Sequence, residues 1–357
     1  MFVVSSKWIF LNNKKLEKDK SLLIDGSVIK DIIDTKSVKK LYSNIIEINY
    51  PNHILMPSFA ESYVDMNDCL NKADIDRKIS KFLENGITKL QVVSKDYSQI
   101  LKHDVDNNLD MSYIITFNGD NCNQIKIKEM INIIDFYKSD PTKRFSINLE
   151  NVLQFENNII EKLSSIAHEI NTSIHIQGDD LSKTKDISKI KKIVSFWDSI
   201  NLLDNCYLHG FFNKNEDWLS CVNKKNIKLM INYIDINSPE SIKKLLSFMQ
   251  NKYTCILISN KNGQYSFYEL INLINSVNPQ SFNSISSKIF DCVTLNTSDI
   301  FLKSNNSDCI KKGLYASFNV FDYTINKFII NDDTPNLGDL DNRSLCNVWS
   351  AGKQIIL

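Results

Sequence analysis

The chain has 357 residues, 43% hydrophobic and 24% charged, a globular composition long enough to bury a large core. Lys+Arg and Asp+Glu both number 42, so formal net charge is zero and no long-range field draws the chain to nucleic acid or to an anionic membrane. The opening MFVVSSKWIFLNN is too short in its apolar part for a membrane span and lacks the basic-then-apolar order of a secretory signal, which predicts a cytoplasmic protein.

In chain order, alternation predicts strands at Val3–Phe10, Ser21–Ile24 and Val28–Ile32, with turns at Asn12–Asn13 and Asp25–Gly26, and a further strand at Ile45–Ile48. The pattern then changes. Eight short apolar runs follow, at Ile54–Ala60, Lys89–Val93, Met111–Phe117, Phe145–Leu149, Ser173–Gln177, Cys206–His209, Ile227–Ile231 and Thr254–Ser259. Helical periodicity lies between them, clearest over Asp74–Asn85, Lys126–Phe136, Asn157–Ile170 and Pro239–Met249. The basic run Lys183, Lys185, Lys189, Lys191 and Lys192 reads as a solvated helix face. After a further helix beyond Ser266 the tail turns β-rich again, at Ala316–Phe321, Lys327–Ile330, Val348–Trp349 and Gln354–Leu357.

Eight strands alternating with helices predict an α/β fold, a (β/α)8 TIM-like barrel over residues 53–303. The structural rival is a doubly wound open sheet, but neither GxGxxG nor GxxxxGK[ST] follows any strand to support nucleotide binding. Residues 1–52 and 304–357 are expected to meet in one small β-sandwich domain. The eight cysteines form no CxxC pair and suit neither a zinc cluster nor a disulfide framework; Cys206 and Cys255 lie in apolar runs and are expected to pack in the core.

The segment Ile54–Met66, ILMPSFAESYVDM, resembles the first barrel strand of the amidohydrolase superfamily. The branch concerned contains guanine, methylthioadenosine and aminofutalosine deaminases and triazine chlorohydrolases, and opens its barrel with L-x-P-G-F-x-N-x-H-T-H. Leu55, Pro57 and Phe59 match. Asn85–Thr88 resembles the S-G-x-T before the second strand, Ile174–His175 the fifth-strand I-H-x-x-E, and Leu208–His209 the sixth-strand histidine. Gly313–Ala316 and Val348–Lys353 resemble the closing phrases of the β domain. The resemblance implies site positions one by one. The paired first-strand histidines fall on Tyr63 and Asp65, and the next two metal ligands on His175 and His209. The proton-shuttling glutamate falls on Gly178, with Asp179 and Asp180 following, and the eighth-strand G-T-D on Ile258–Ser259–Asn260.

Hydrolysis at a heteroaromatic ring needs a nucleophile made by lowering the pKa of a metal-bound water, and an acid–base group to collect its proton. The losses at Tyr63, Gly178 and Asn260 therefore predict a degenerate relative that lacks ordinary metal-dependent hydrolysis, carries no cofactor, and serves binding, assembly or regulation. Tyr63 is expected to fill the space of a lost ligand. The short connection from Asp65 to the helix near Asp74 implies a reduced lid. The alternative is an aminohydrolase acting on a purine- or nucleoside-like amine, with zinc or iron held by Asp65, His175 and His209 and with Asp179 as a displaced catalytic shuttle. A third reading is metal-independent chemistry on the carboxylates Asp65 and Asp179. The resemblance further implies a small heteroaromatic or nucleoside-like ligand and a homodimer.

Overall fold

A computed structural model describes the chain except residues 12–14, 70, 95–100, 102–108, 120–121, 138, 141–142, 179–180, 182–183, 215, 223–226, 251–252, 260–266, 278–287, 298–299, 302–308, 325–328, 331–333, 336, 338–339 and 356–357. The turn expected at Asn12–Asn13, together with Asp179, Asp180, Lys183 and Asn260, lies outside the described residues.

Strands β1 (Phe2–Leu11) and β2 (Lys15–Asp25) pair antiparallel, and β3 (Val28–Asp34) joins β2 through the expected turn, where Gly26 takes φ +59°. A short helix α1 (Thr35–Leu41) buries Val38, and β4 (Ile46–Pro57) then runs parallel to β1. The run read as one strand, Ile54–Ala60, is in fact divided. Ile54–Pro57 ends β4 in the small sheet, whereas β5 (Phe59–Asp65) begins the barrel. Ser58 is where the chain changes sheets: its N–H donates to Ser317 O (3.3 Å), and the next N–H, of Phe59, donates to Gly86 O (2.9 Å). Residues on both faces of this run are buried, so no alternation marks the break.

The barrel continues through α2 (Lys72–Leu83), β6 (Ile87–Val93), β7 (Asp110–Asn118), α3 (Gln124–Tyr137), β8 (Phe145–Glu150), α4 (Asn157–Glu169), β9 (Ile174–Gln177) and α5 (Ile187–Ser199). It is completed by β10 (Cys206–His209), α6 (Phe211–Lys214), α7 (Glu216–Cys221), β11 (Lys228–Asn232), α8 (Pro239–Gln250), β12 (Thr254–Ile258) and α9 (Phe267–Val277). The eight strands β5–β12 lie in sequence order and every neighbouring pair is parallel. The helices cover their outer face. In α4 that face is Ile159, Ile160, Leu163 and Ala167, at helical spacing. Lys189, Lys191 and Lys192 stand on the exposed side of α5, as expected of a solvated face. Cys206 and Cys255 are buried and free.

Between β12 and β5, which lie side by side, no ladder of backbone bonds is formed. The segment 289–297 fills the seam instead. Val293 O accepts from Ala60 N of β5 (2.8 Å), and Cys292 O accepts from Leu257 N of β12 (3.1 Å). Ile300 and Phe301 pack with inward residues of the barrel, among them Ala60, Ile114 and Met230.

The chain returns to the small domain in β13 (Phe318–Asp322), β14 (Ile329–Ile330), β15 (Thr334–Pro335), β16 (Leu345–Ser350) and β17 (Lys353–Ile355). One seven-stranded sheet results, in the order β17-β16-β13-β4-β1-β2-β3, so both ends of the chain build it. Its own core holds Val4, Leu22, Leu55, Val320 and Trp349. Asn319 ties the two parts together by donating from Nδ2 to Gly86 O (2.9 Å). Gly86 has φ +78°, and a Cβ there would strike the Asn319 side chain. Among the described residues no helix is long and apolar enough to cross a membrane.

Candidate active site at the barrel mouth

Strand alternation fixes what the barrel can present. On β6 through β11 the outward residues, such as Leu90, Val92, Ile115, Leu149, Ile176 and Leu208, pack under the helices. The opposite set faces inward and is unusually polar: Lys89, Gln91, Ser112, Asn148, His175, Gln177 and His209, all buried. Sites in this fold form at the C-terminal ends of the strands, where Gln177 and His209 end β9 and β10 side by side in register.

The structure brings His175 and His209 together. Their rings bond directly, His175 Nδ1 to His209 Nε2 at 2.9 Å. His175 is fully buried and stacks on Tyr207, with centroids 4.8 Å apart and planes at 14°. Lys228 approaches the other end of that tyrosine, its Nζ donating to Tyr207 Oη at 3.2 Å. Burial first, then the proximity of His209 and Lys228, holds the His175 imidazole well below the ordinary histidine range, so it is neutral. Nε2 of His175 is buried with no hydrogen-bond partner among the described residues.

Tyr63 stands at the position on β5 that the resemblance assigns to a first-strand ligand. Its ring meets His209 edge-on at 5.1 Å, and its hydroxyl accepts from Gln177 Nε2 at 2.7 Å. A bulge between Glu61 and Val64 sets this side chain's aim, since three steps on β5 match two on β6. Asp65 pairs in register with Val93 at the strand's end; its Oδ1 accepts from Asn67 N (2.9 Å) and its carbonyl accepts from Lys78 Nζ. Among the described residues, Asp65, His175 and His209 are not a set of donors lying within 4.8 Å of one another. Asp179 lies outside the described residues.

Glu61 is a residue the sequence reading missed. It is fully buried at the seam, where Oε2 accepts from Ser259 N (2.9 Å) and Oε1 from Tyr63 N (3.3 Å). A side chain thus does what a ladder would do between β12 and β5. Burial pushes its carboxyl up to about 8, against the opposing pull of those backbone donors. The available signal was a carboxylate in the middle of the fully buried part of the first barrel strand.

Further buried atoms lack partners among the described residues on the inward faces of three consecutive strands: Gln91 Oε1 on β6, Ser112 Oγ on β7 and Asn148 Oδ1 on β8. With His175 Nε2 on β9 they line one side of the barrel interior. Gln91 also donates to Ser146 Oγ (3.0 Å), and Asn148 to Thr116 Oγ1 (3.2 Å), so half of each amide is satisfied and half is not. A cavity of about 730 Å³ lies elsewhere, at the N-terminal end of β8 between α3 and α4, lined by Lys143, Arg144, Asp140 and Glu169. That is the end of the barrel opposite the histidines.

No protein-family model and no curated relative matches the sequence. Solved structures do match in fold. A zinc-bound adenosine deaminase from Xanthomonas campestris shares 11% identity at a TM-score of 0.75, covering 100% of this chain and 93% of that one. Aminofutalosine deaminase of Helicobacter pylori shares 11% at 0.76, covering 99% and 100%. Guanine deaminase of C. acetobutylicum, solved with guanine in its active site, shares 12% at 0.75, again covering 99% and 100%. The chain shares the fold of these deaminases. The match spans the barrel and the small domain alike, in agreement with the resemblance in the first strand.

The histidine pair does not fit a catalytic metal in the arrangement seen. Two ligand nitrogens at about 2.05 Å from a tetrahedral zinc stand about 3.3 Å apart with both lone pairs aimed at the ion. Here one ring N–H is aimed at the other nitrogen, so a lone pair that a metal would use is already taken. Tyr63 is engaged by Gln177.

Proposed function

We propose that the barrel binds a small heteroaromatic or nucleoside-like molecule and lacks the ordinary metal-dependent hydrolysis of its fold neighbours. The direct His175–His209 hydrogen bond carries this reading, because it couples the two candidate ligands to each other. The ligand class follows from three features. The structural neighbours include a deaminase holding guanine. Tyr63 supplies an aromatic ring beside His209. The buried unpaired atoms of Gln91, Ser112, Asn148 and His175 offer hydrogen bonds that a polar ring could complete. Assembly as a homodimer belongs to the same proposal.

One observation favours a second reading, a reduced-site aminohydrolase with zinc or iron on Asp65, His175 and His209 and with Asp179 as shuttle. His175 Nε2 is a buried ring nitrogen without a partner, available to a ligand after a change of tautomer. Calorimetric titration with guanine, adenosine and their deaminated products, run beside an ammonia-release assay on zinc- and iron-loaded protein, separates the two. Saturable binding without ammonia release supports the first reading. Release that disappears in both His175→Ala and His209→Ala establishes the second.

A further inference from the structure

A second cluster stands outside the barrel, in the small domain, on three adjacent strands. His53 on β4 and Asp322 on β13 are direct cross-strand partners. Cys346 on β16 joins them for a reason the ladder makes plain. Val320 pairs with Asn347 and Phe321 with Leu345, so Cys346 is the extra residue of a bulge, unpaired in the sheet and turned beside Asp322. One donor atom from each of the three, an imidazole nitrogen, a carboxylate oxygen and a sulfur, lies within 4.8 Å of the other two. Among the described residues this is the group of three or more histidine, cysteine, aspartate and glutamate side chains that converges so closely.

The surroundings prepare each donor. Nδ1 of His53 is buried with no hydrogen-bond partner among the described residues. Its ring is held edge-on by Tyr50 at 5.4 Å, and Tyr50 is itself contacted by Trp349 Nε1 (3.4 Å). Asp322 is oriented through Oδ1, which accepts from Thr324 N (2.8 Å) and Thr324 Oγ1 (2.6 Å). Cys346 is positioned by its thiol, which donates to Ser344 O (3.4 Å).

We infer that His53, Asp322 and Cys346 form a binding site for one zinc-class divalent cation. Nitrogen, oxygen and sulfur together suit a borderline-soft ion of tetrahedral habit. The three groups are half-buried, which leaves the fourth position to solvent. Hydrogen bonds behind Asp322 and packing behind His53 supply the outer support such ligands need. Binding displaces the Cys346 thiol proton to solvent and joins β4, from the first part of the chain, to β13 and β16 from its last part. The site therefore acts as a clamp across the discontinuous small domain.

Cobalt(II) added to chelator-stripped, full-length protein tests this, because thiolate ligation produces a near-ultraviolet charge-transfer band. The expected result is one equivalent bound with that band. The band is absent in Cys346→Ser, affinity falls about tenfold or more in His53→Ala, and both are unchanged in a His175→Ala/His209→Ala variant. Near-ultraviolet circular dichroism shows that each variant is folded, and Asp322→Asn, which keeps the shape and the Thr324 contacts, gives an independent loss of affinity. A wild-type protein without the band, or a band that survives Cys346→Ser, overturns the inference.

Discussion

The barrel interior and the small-domain cluster both gather metal-ligating side chains, yet they dispose of them in opposite ways. At the mouth, histidines from neighbouring parallel strands turn to each other, and Tyr63 is tied to Gln177. In the small sheet, a bulge turns a cysteine beside a histidine–aspartate pair, and the histidine keeps an unpartnered nitrogen. The same residue types therefore bond to each other in one place and converge as an open set of donors in the other, although His175 Nε2, like His53 Nδ1, has no partner among the described residues. What decides is not which residues are present but whether their lone pairs are already taken.

The largest expected effect probes the closed region. Glu61 has a folded-state carboxyl raised to about 8 from an ordinary 4.5, so the native protein holds a proton that the unfolded chain releases. Its stabilising contribution is present below the unfolded value and is lost as pH rises through the folded one. Between pH 5 and pH 8 the wild type should lose about 3.5 kcal/mol relative to Glu61→Gln, read from urea unfolding at each pH. Parallel curves for the two proteins would mean that the Glu61 carboxyl is not perturbed.

The open region gives the next effect. At free zinc one hundred times the dissociation constant, the cation should raise unfolding free energy by about 2.7 kcal/mol, and a chelator should remove that gain. The chelator should do nothing to the stability of Cys346→Ser. A chelator response that persists in Cys346→Ser but vanishes in the doubly substituted His175→Ala/His209→Ala protein would reverse the comparison.

His175 gives a slope of opposite sign to Glu61. Its folded pKa is depressed, so its contribution is present above the ordinary histidine value and is lost as pH falls below it. Relative to His175→Phe, the wild type should lose up to about 1.4 kcal/mol per pH unit on acidification below about 6.5. Tyr63→Phe is the mildest change. It leaves Gln177 Nε2 without its acceptor and should cost about 1–2 kcal/mol in urea unfolding.

Much of the fold was legible because it rests on periodicity. The barrel strands from Lys89 to Ser259 and the amphipathic helices between them follow from apolar spacing, and the Asp25–Gly26 turn from glycine's access to positive φ. The end of β4 was not legible, since burial on both faces erases the alternation that would mark Ser58. In the candidate site, the inward placement of His175 and His209 could be read from strand position, but their mutual bond could not, because ring orientation is set by Tyr207 and Tyr63 from other strands. Glu61 gave only the weak signal of a charge in the middle of the first barrel strand. The cluster of His53, Asp322 and Cys346 was invisible for a different reason. Its members are widely separated in sequence, and a one-residue bulge, not a motif, brings the third one in.

Metal analysis of three purified proteins tests the central contrast most directly. Zinc-equilibrated wild type should hold one equivalent per chain. His175→Ala/His209→Ala should hold the same, and His53→Ala/Cys346→Ser should hold none. Zinc lost from the barrel variant and retained by the small-domain variant would contradict the account.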